Sequence, residues 1–218
     1  MNTEHGAFIS VDGPRGVGTS TTVQALAERL RAAGLPVFVN SEPTDSDIGA
    51  LACSRASTDT SRHARACLFA ADRYQRLKTD IRPRLAAGDI VISDRYVPTG
   101  LVRHRLDGVD LGFLQALHAA ADPPDLAVIL TADPSVIAQR RKQRGSCTGC
   151  QPDVDLSTRE TGFYRDAARA LAAAGVVVLP LETSLYSPHT LASMIHTRID
   201  VLLAHQRRRN PAPQEPAS

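Results

Sequence analysis

The stretch from Ala7 to Ser20 limits what this chain can become more than any other part of it. Ala7-Phe8-Ile9-Ser10-Val11-Asp12 is a short apolar run ending at glycine, the pattern of a strand buried on both faces. Gly13-Pro14-Arg15-Gly16-Val17-Gly18-Thr19-Ser20 follows at once. From Thr19 to Ala33 apolar residues recur at helical spacing (Val23, Leu26, Ala27, Leu30) as far as Gly34, a natural C-cap. Strand, glycine loop and helix together make an anion site, because loop amides and the helix N-terminus both present partial positive charge. The eight residues match G-x-x-x-x-G-K-[ST] except that Thr19 stands where lysine belongs. Gly13, Pro14, Arg15, Gly16, Val17, Gly18, Thr19, Ser20 and Thr21 are therefore the expected binding residues for ATP. Ser20 is the expected hydroxyl partner of Mg2+. A lysine at position 19 would follow the charge during phosphoryl transfer; a threonine brings no cation. Either another cation replaces it, with Arg15 the nearest candidate, or the protein binds nucleotide and transfers phosphate poorly or not at all.

Further along, strand patterns alternate with helical ones. Strands are expected at Pro36–Val39, Ile90–Ser93, Leu126–Leu130 and Val176–Leu179. A mostly helical stretch is expected over Asp59–Ala87 with a break or kink near Pro83, and helices over Leu111–Ala121, Pro134–Arg144, Arg159–Ala174 and Pro188–His205. Residues 145–158 read as a loop. Such alternation implies an α/β fold of three layers, a five-stranded parallel sheet with helices on both faces. Ligands in such folds sit beyond the carboxyl ends of the strands, where Asp12, Asp94 and Thr131–Asp133 lie. No linker divides the body, so residues 1–205 read as one unit with a short lid at about 140–160, and 206–218 as a disordered Arg- and Pro-rich tail.

Composition adds exclusions. A net charge of +2 gives no general attraction to a nucleic acid polymer. No apolar run is long enough to span a membrane. Four cysteines and no export signal point to a cytoplasmic protein with reduced thiols. Lys78 and Lys142 are the only lysines, so arginine carries nearly all the positive charge. A base-composition bias accounts for most of that. A few arginines are left as phosphate contacts, since the guanidinium fork matches phosphate oxygens.

Several segments in order then resemble thymidylate kinases, a family of P-loop nucleoside monophosphate kinases. Leu68-Phe69-Ala70-Ala71-Asp72-Arg73 is similar to the family's LFAADR segment, and Asp94-Arg95-Tyr96 to its DRY segment. Glu42-Pro43-Thr44 is similar to its E-P-G segment, and Pro124 through Pro134 to its strand and helix before the lid. Gln139–Gly145 is similar to the arginine-rich entry to its lid, and Phe163-Tyr164-Arg165 to the helix after it. The resemblance runs from about Phe8 to the last helix. It implies a dTMP-phosphorylating fold and activity, a nucleoside monophosphate as partner, and commonly a homodimer. It also implies roles. Phe69 would stack on the base and Arg73 contact its edge, with Asp12 and Glu42 beside the acceptor. Asp94 would hold magnesium through water, and Arg95 would clamp the acceptor phosphate. Arg140, Arg144 and Arg159 would neutralise charge from the lid. Phe69 also reads as plain core, and Arg140 and Arg159 as solvated helix surface.

The chain departs from the family at four places. Thr19 replaces the loop lysine, Arg15 replaces a loop carboxylate, and Ser41 replaces an arginine. Arg103-His104 replaces a Tyr-Gln pair that in the family lies by the sugar. Arg15, Arg103 and His104 are expected to make the site more cationic and to shift the acceptor toward a modified or differently charged nucleotide. Cys147-Thr148-Gly149-Cys150 reads as an incidental loop before a zinc or redox site. A catalytically weak nucleotide-binding sensor or partner subunit is the alternative to an enzyme, and Thr19 is its support.

Overall fold

A computed structural model of the chain describes residues 6–53, 61–143 and 153–209. Five strands, β1 (Ala7–Asp12), β2 (Val37–Ser41), β3 (Ile90–Asp94), β4 (Leu126–Thr131) and β5 (Val177–Glu182), form one sheet in the order β2-β3-β1-β4-β5. Every pairing is parallel. β1 lies at the centre, so its residues are buried throughout. Asp125 closes the lower end of the sheet: its carboxylate accepts from the Phe8 amide at 2.8 Å, and its own amide donates to the Phe8 carbonyl at 2.8 Å.

The two-residue alternation of the strands divides the core between two faces. Ala7, Ile9 and Val11, with Ile90, Ile92, Leu126, Val128 and Leu130, face α1 (Thr19–Ala32) and α9 (Pro188–Arg209). Phe8 and Val91 face the other way, against Tyr96, Leu77 and Ile81; Ile129 packs there with Val102 and Tyr164. The second face is covered by α3 (Arg62–Arg76), α5 (Val97–Leu106) and α8 (Val154–Ala173). The expected five-stranded parallel sheet with helices on both faces is the observed one. No helix among the described residues is long and apolar enough to cross a membrane.

Several boundaries differ from the sequence expectation. Where a break or kink was expected near Pro83, a π-helical stretch, Leu77–Ile81, runs into α4 (Arg82–Ala86). Pro83 falls in the first turn of α4, where a missing N–H costs little. α8 begins at Val154, five residues before the expected start, because Asp153 caps it by accepting from the Leu156 amide at 2.8 Å. The loop expected over 145–158 is thus helical from 154. β5 continues to Glu182. Residues 206–209, expected to belong to the tail, are the end of α9; residues 210–218 lie outside the described part. α2 (Asp47–Cys53) and α5 were not anticipated. α5 is covered by α3, α6 (Leu111–His118) and α8, so it lacks the single apolar stripe that betrays a surface helix.

Candidate active site

The glycine loop leaves β1 and turns into α1 at the carboxyl edge of the sheet. Gly16 and Gly18 adopt φ of 94° and 106°, a left-handed backbone that other residues rarely take. Gly13 is needed for a different reason: a Cβ there would lie 2.6 Å from the Leu130 carbonyl oxygen of β4. Gly18 is the N-cap and offers no capping side chain, and the first turn of α1 has no acidic residue. The Thr22 amide donates to the Gly18 carbonyl at 3.0 Å, so the amides of Thr19, Ser20 and Thr21 precede the intrahelical ladder. Ser20 and Thr21 are exposed, and Thr19 is only 3% exposed. The loop has the strand–turn–helix backbone that the motif requires.

Two segments clamp the loop from outside. The Arg15 amide donates to Glu160 Oε1 at 3.1 Å, and Arg141 of α7 (Pro134–Gln143) donates to Glu160 Oε2 at 2.9 Å. Glu160 of α8 thus joins the loop to α7, a role that no sequence motif announced. The Arg15 side chain itself is exposed. Arg140 donates to Thr183 Oγ1 at 3.1 Å and lies 3.5 Å from the Val17 carbonyl, so it belongs to the donor side. Arg159 is exposed on α8. Arg144, Cys147 and Cys150 lie outside the described residues.

β3 delivers the next pair. Asp94 ends the strand, is 9% exposed, and its Oδ1 is buried with no hydrogen-bond partner. Arg95 has φ 79°, the positive value recorded for a non-glycine residue among the described residues. Its amide donates to the Val11 carbonyl at 3.0 Å, and its carbonyl accepts from Ser93 Oγ at 2.7 Å. Its guanidinium donates from Nη1 to the Gly13 carbonyl at 3.1 Å and from Nη2 to Thr19 Oγ1 at 3.4 Å. The cation beside Thr19 is therefore that of Arg95 and not, as expected, that of Arg15. Asp12 faces inward. Its Oδ1 accepts from the Tyr96 amide (2.8 Å), the Thr99 amide (3.1 Å) and the Thr99 hydroxyl (2.7 Å), and its Oδ2 is buried without a partner. Burial raises its pKa against these bonds. Asp12 therefore fixes the start of α5, and Thr99, which also meets the Tyr164 hydroxyl at 3.0 Å, is a site neighbour that the sequence did not single out.

The acceptor residues converge from four elements. Arg73, 1% exposed, donates to Glu42 from Nε at 2.9 Å and from Nη2 at 2.5 Å, and to the Tyr96 carbonyl at 3.2 Å. Its Nη1 meets His118 Nδ1 at 2.9 Å. Gly100 leaves room for this contact: a Cβ there would lie 3.1 Å from Arg73 Nη2 and 3.2 Å from His118 Nε2. Burial pushes Glu42 up, and the Arg73 guanidinium opposes it. Burial, reinforced by Arg73, pushes His118 down to about 3, so it is neutral near pH 7. One residue earlier on α3, Asp72 accepts from the Thr44 amide at 2.9 Å and from its hydroxyl at 2.5 Å. The Glu42–Thr44 and Leu68–Arg73 segments, far apart in sequence, are locked together twice.

Phe69 is 7% exposed. The Arg103 guanidinium sits over its ring at 4.5 Å, and His104 meets it edge-on at 5.2 Å. Burial pulls Arg103 below its usual pKa, with Arg65 adding to the effect. His104 is fully buried, with neither ring nitrogen hydrogen-bonded, and burial with the Arg103 charge pulls it down to about 4. The expected extra positive charge at His104 is therefore absent: the ring is neutral near pH 7 and packs as core.

Comparison with known proteins shows the family of the chain. The family model described as thymidylate kinase matches residues 11–172. A probable thymidylate kinase of Pyrococcus horikoshii is 32% identical over 210 residues, covering 92% of this chain and 97% of that protein. One from Pyrobaculum aerophilum is 36% identical over 143 residues, covering 64% and 71%. A thymidylate kinase of Xanthomonas oryzae pv. oryzae is 36% identical over 141 residues, covering 64% and 62%. With the family model matched over residues 11–172 and a relative 32% identical across 92% of its length, the chain belongs to the thymidylate kinase family.

Proposed function

We propose that this protein transfers the γ-phosphoryl group of ATP to a nucleoside monophosphate, with dTMP as the acceptor and dTDP as the product. Family membership across most of the chain carries this reading. The adjacency of the loop and Asp94-Arg95, on neighbouring strands β1 and β3, supports it. The amides of Gly16 to Thr21 cradle the donor phosphates, and Arg140 steadies the loop. Arg95 stands between donor and acceptor. Phe69, Arg73 and Arg103 bound the acceptor pocket, with Glu42 and Asp12 holding its walls. Arg15 on the loop and Arg159 on α8, both exposed, contribute charge to the transfer; Arg144, expected to do the same, lies outside the described residues.

The residues present fit magnesium. Asp94 has a buried acidic oxygen without a partner, and the Ser20 hydroxyl is exposed at the head of α1. Among the described residues no group of three or more His, Cys, Asp or Glu could enclose a metal. The ion would be held by Ser20, by Asp94 through water, and by ATP itself, and when bound it neutralises charge between the β- and γ-phosphates. The protein's own work is positioning and electrostatics. It aligns an acceptor phosphate oxygen with the γ-phosphorus and excludes water by closing the lid.

A panel of nucleoside monophosphates with ATP and magnesium tests this, with diphosphate and ADP both measured. dTDP formation well above every other product is expected. ATP binding without diphosphate from any acceptor would overturn the kinase reading. Faster turnover of another monophosphate would move the acceptor away from dTMP.

A further inference from the structure

Two arginines on the acceptor side carry charge that no acid balances. Arg95 donates to neutral groups, the Gly13 carbonyl at 3.1 Å and the Thr19 hydroxyl at 3.4 Å. Arg103 rests its guanidinium on the Phe69 ring at 4.5 Å, and among the described residues no carboxylate pairs with it. The acid one turn along, Asp107, is held by Arg65. Arg73, by contrast, has its charge matched by Glu42 at 2.5 Å.

Helix α5 brings the two into one space. It starts just after Arg95, and the Asp12 carboxylate pins its first turn by accepting from the Tyr96 and Thr99 amides at 2.8 and 3.1 Å. Arg103 follows Thr99 by four residues and so lies on the same face of the helix, one turn further out. Thr99 touches both Asp12 and the Tyr164 hydroxyl, so that face looks into the site. Arg103 remains open to solvent there. Partial burial lowers its pKa, and the Arg65 and Arg95 charges lower it further, so the two site guanidiniums act on each other. Two guanidiniums facing one space with no acid between them are a seat for a phosphate dianion.

Resting on the kinase reading, we propose that Arg103 binds the acceptor's phosphate together with Arg95, giving up the Phe69 ring to the base as the nucleotide enters. Base and phosphate binding are then one exchange: the base takes the ring, and the phosphate takes the guanidinium that covered it. The same step returns a cation that the opposite side of the site lacks. Ser41, where the family resemblance implies an arginine, is exposed at the end of β2 and lies abreast of Asp94 in the sheet. An arginine rooted at 41 would face the space beside Asp94-Arg95 from β2, and Arg103 faces it from α5.

Wild type, R103Q, R103K and S41R/R103Q test this, with binding followed by calorimetry for dTMP and for thymidine, the same acceptor without its phosphate. R103Q is expected to raise the Kd for dTMP about fivefold, the scale of an ion pair open to solvent. Thymidine should bind R103Q no more weakly than wild type, because the Phe69 face is then uncovered and no phosphate contact is lost. R103K keeps the charge and should hold dTMP within about twofold of wild type, and S41R/R103Q should return to the same range. A merely structural role for Arg103 would weaken both ligands alike. An unchanged dTMP Kd in R103Q, an equal loss for thymidine, or a double variant no tighter than R103Q overturns the proposal. A wild type that makes no dTDP from dTMP and ATP sinks the kinase reading and this inference together. A wild type that makes dTDP while R103Q binds both ligands as wild type does sinks only the inference.

Discussion

The donor and acceptor sides of the site are built from different materials. The donor side is mostly backbone: glycines with positive φ, three amides ahead of the α1 ladder, and an exposed Ser20 hydroxyl. The acceptor side is mostly side chain, with Glu42, Arg73 and His118 interlocked and Phe69 held between Arg103 and His104. A backbone turn survives the loss of a side chain, so Thr19 in place of lysine leaves the shape of the loop standing. A side-chain cluster has less reserve, because Glu42, Arg73 and His118 are satisfied largely by one another.

That contrast can be broken most directly at Arg73. Arg73→Met would leave the Glu42 carboxylate buried without its partner, and a loss of about 3–5 kcal/mol in denaturant unfolding is expected. A loss under about 1 kcal/mol would show that the cluster is looser than its geometry. On the donor side the sensitive atom is a backbone one. Gly13→Ala places a Cβ 2.6 Å from the Leu130 carbonyl. It is expected to cost about 1–3 kcal/mol and to weaken MgATP binding, while acceptor binding, measured by equilibrium dialysis with dTMP, falls less.

Acid sharpens the contrast further. His104 and His118 titrate in the folded protein at about 4 and about 3, below the ordinary 6.5. The unfolded chain then binds more protons than the folded one below about pH 6.5. Their contribution is fully present above that pH and is lost as pH falls toward 4 and 3. Urea midpoints measured from pH 7 to 4 should fall, and His104→Leu should flatten part of the slope; an unchanged slope would mean that His104 is not the titrating group. The smallest effect is expected at Arg103. Removing its guanidinium from the Phe69 face with Arg103→Gln should change the dTMP KM about fivefold, the scale of ~1 kcal/mol for such a contact. The KM for ATP should stay put, and equal shifts in both constants would argue that Arg103 serves the donor side as well.

The same division explains what the sequence disclosed. The sheet, its parallel sense and the loop were legible because each is written in local patterns: an apolar run, fixed glycine spacing, a 3.6-residue stripe. Asp94-Arg95 was legible from its place after an apolar strand. The partners were not. Nothing near Arg95 in the chain says that its side chain crosses to Thr19, since the left-handed backbone that aims it depends on Val11 and Ser93. Glu160 and Thr99 went unnoticed because each acts only through hydrogen bonds to residues distant in the chain. His104 was misjudged as a cation because its burial is decided by Phe69 and the helices around α5.

The left-handed turn at Arg95 sets stability and activity against each other at one position. Glycine would adopt that backbone at ease, whereas arginine holds it at a cost of about 1–3 kcal/mol. A fold selected for robustness alone would drift to glycine there and become a quiet binder of nucleotides. That the chain keeps the larger residue in the harder conformation makes residue 95 a poor target for stabilisation and a sensitive gauge of whether a relative still works for its living.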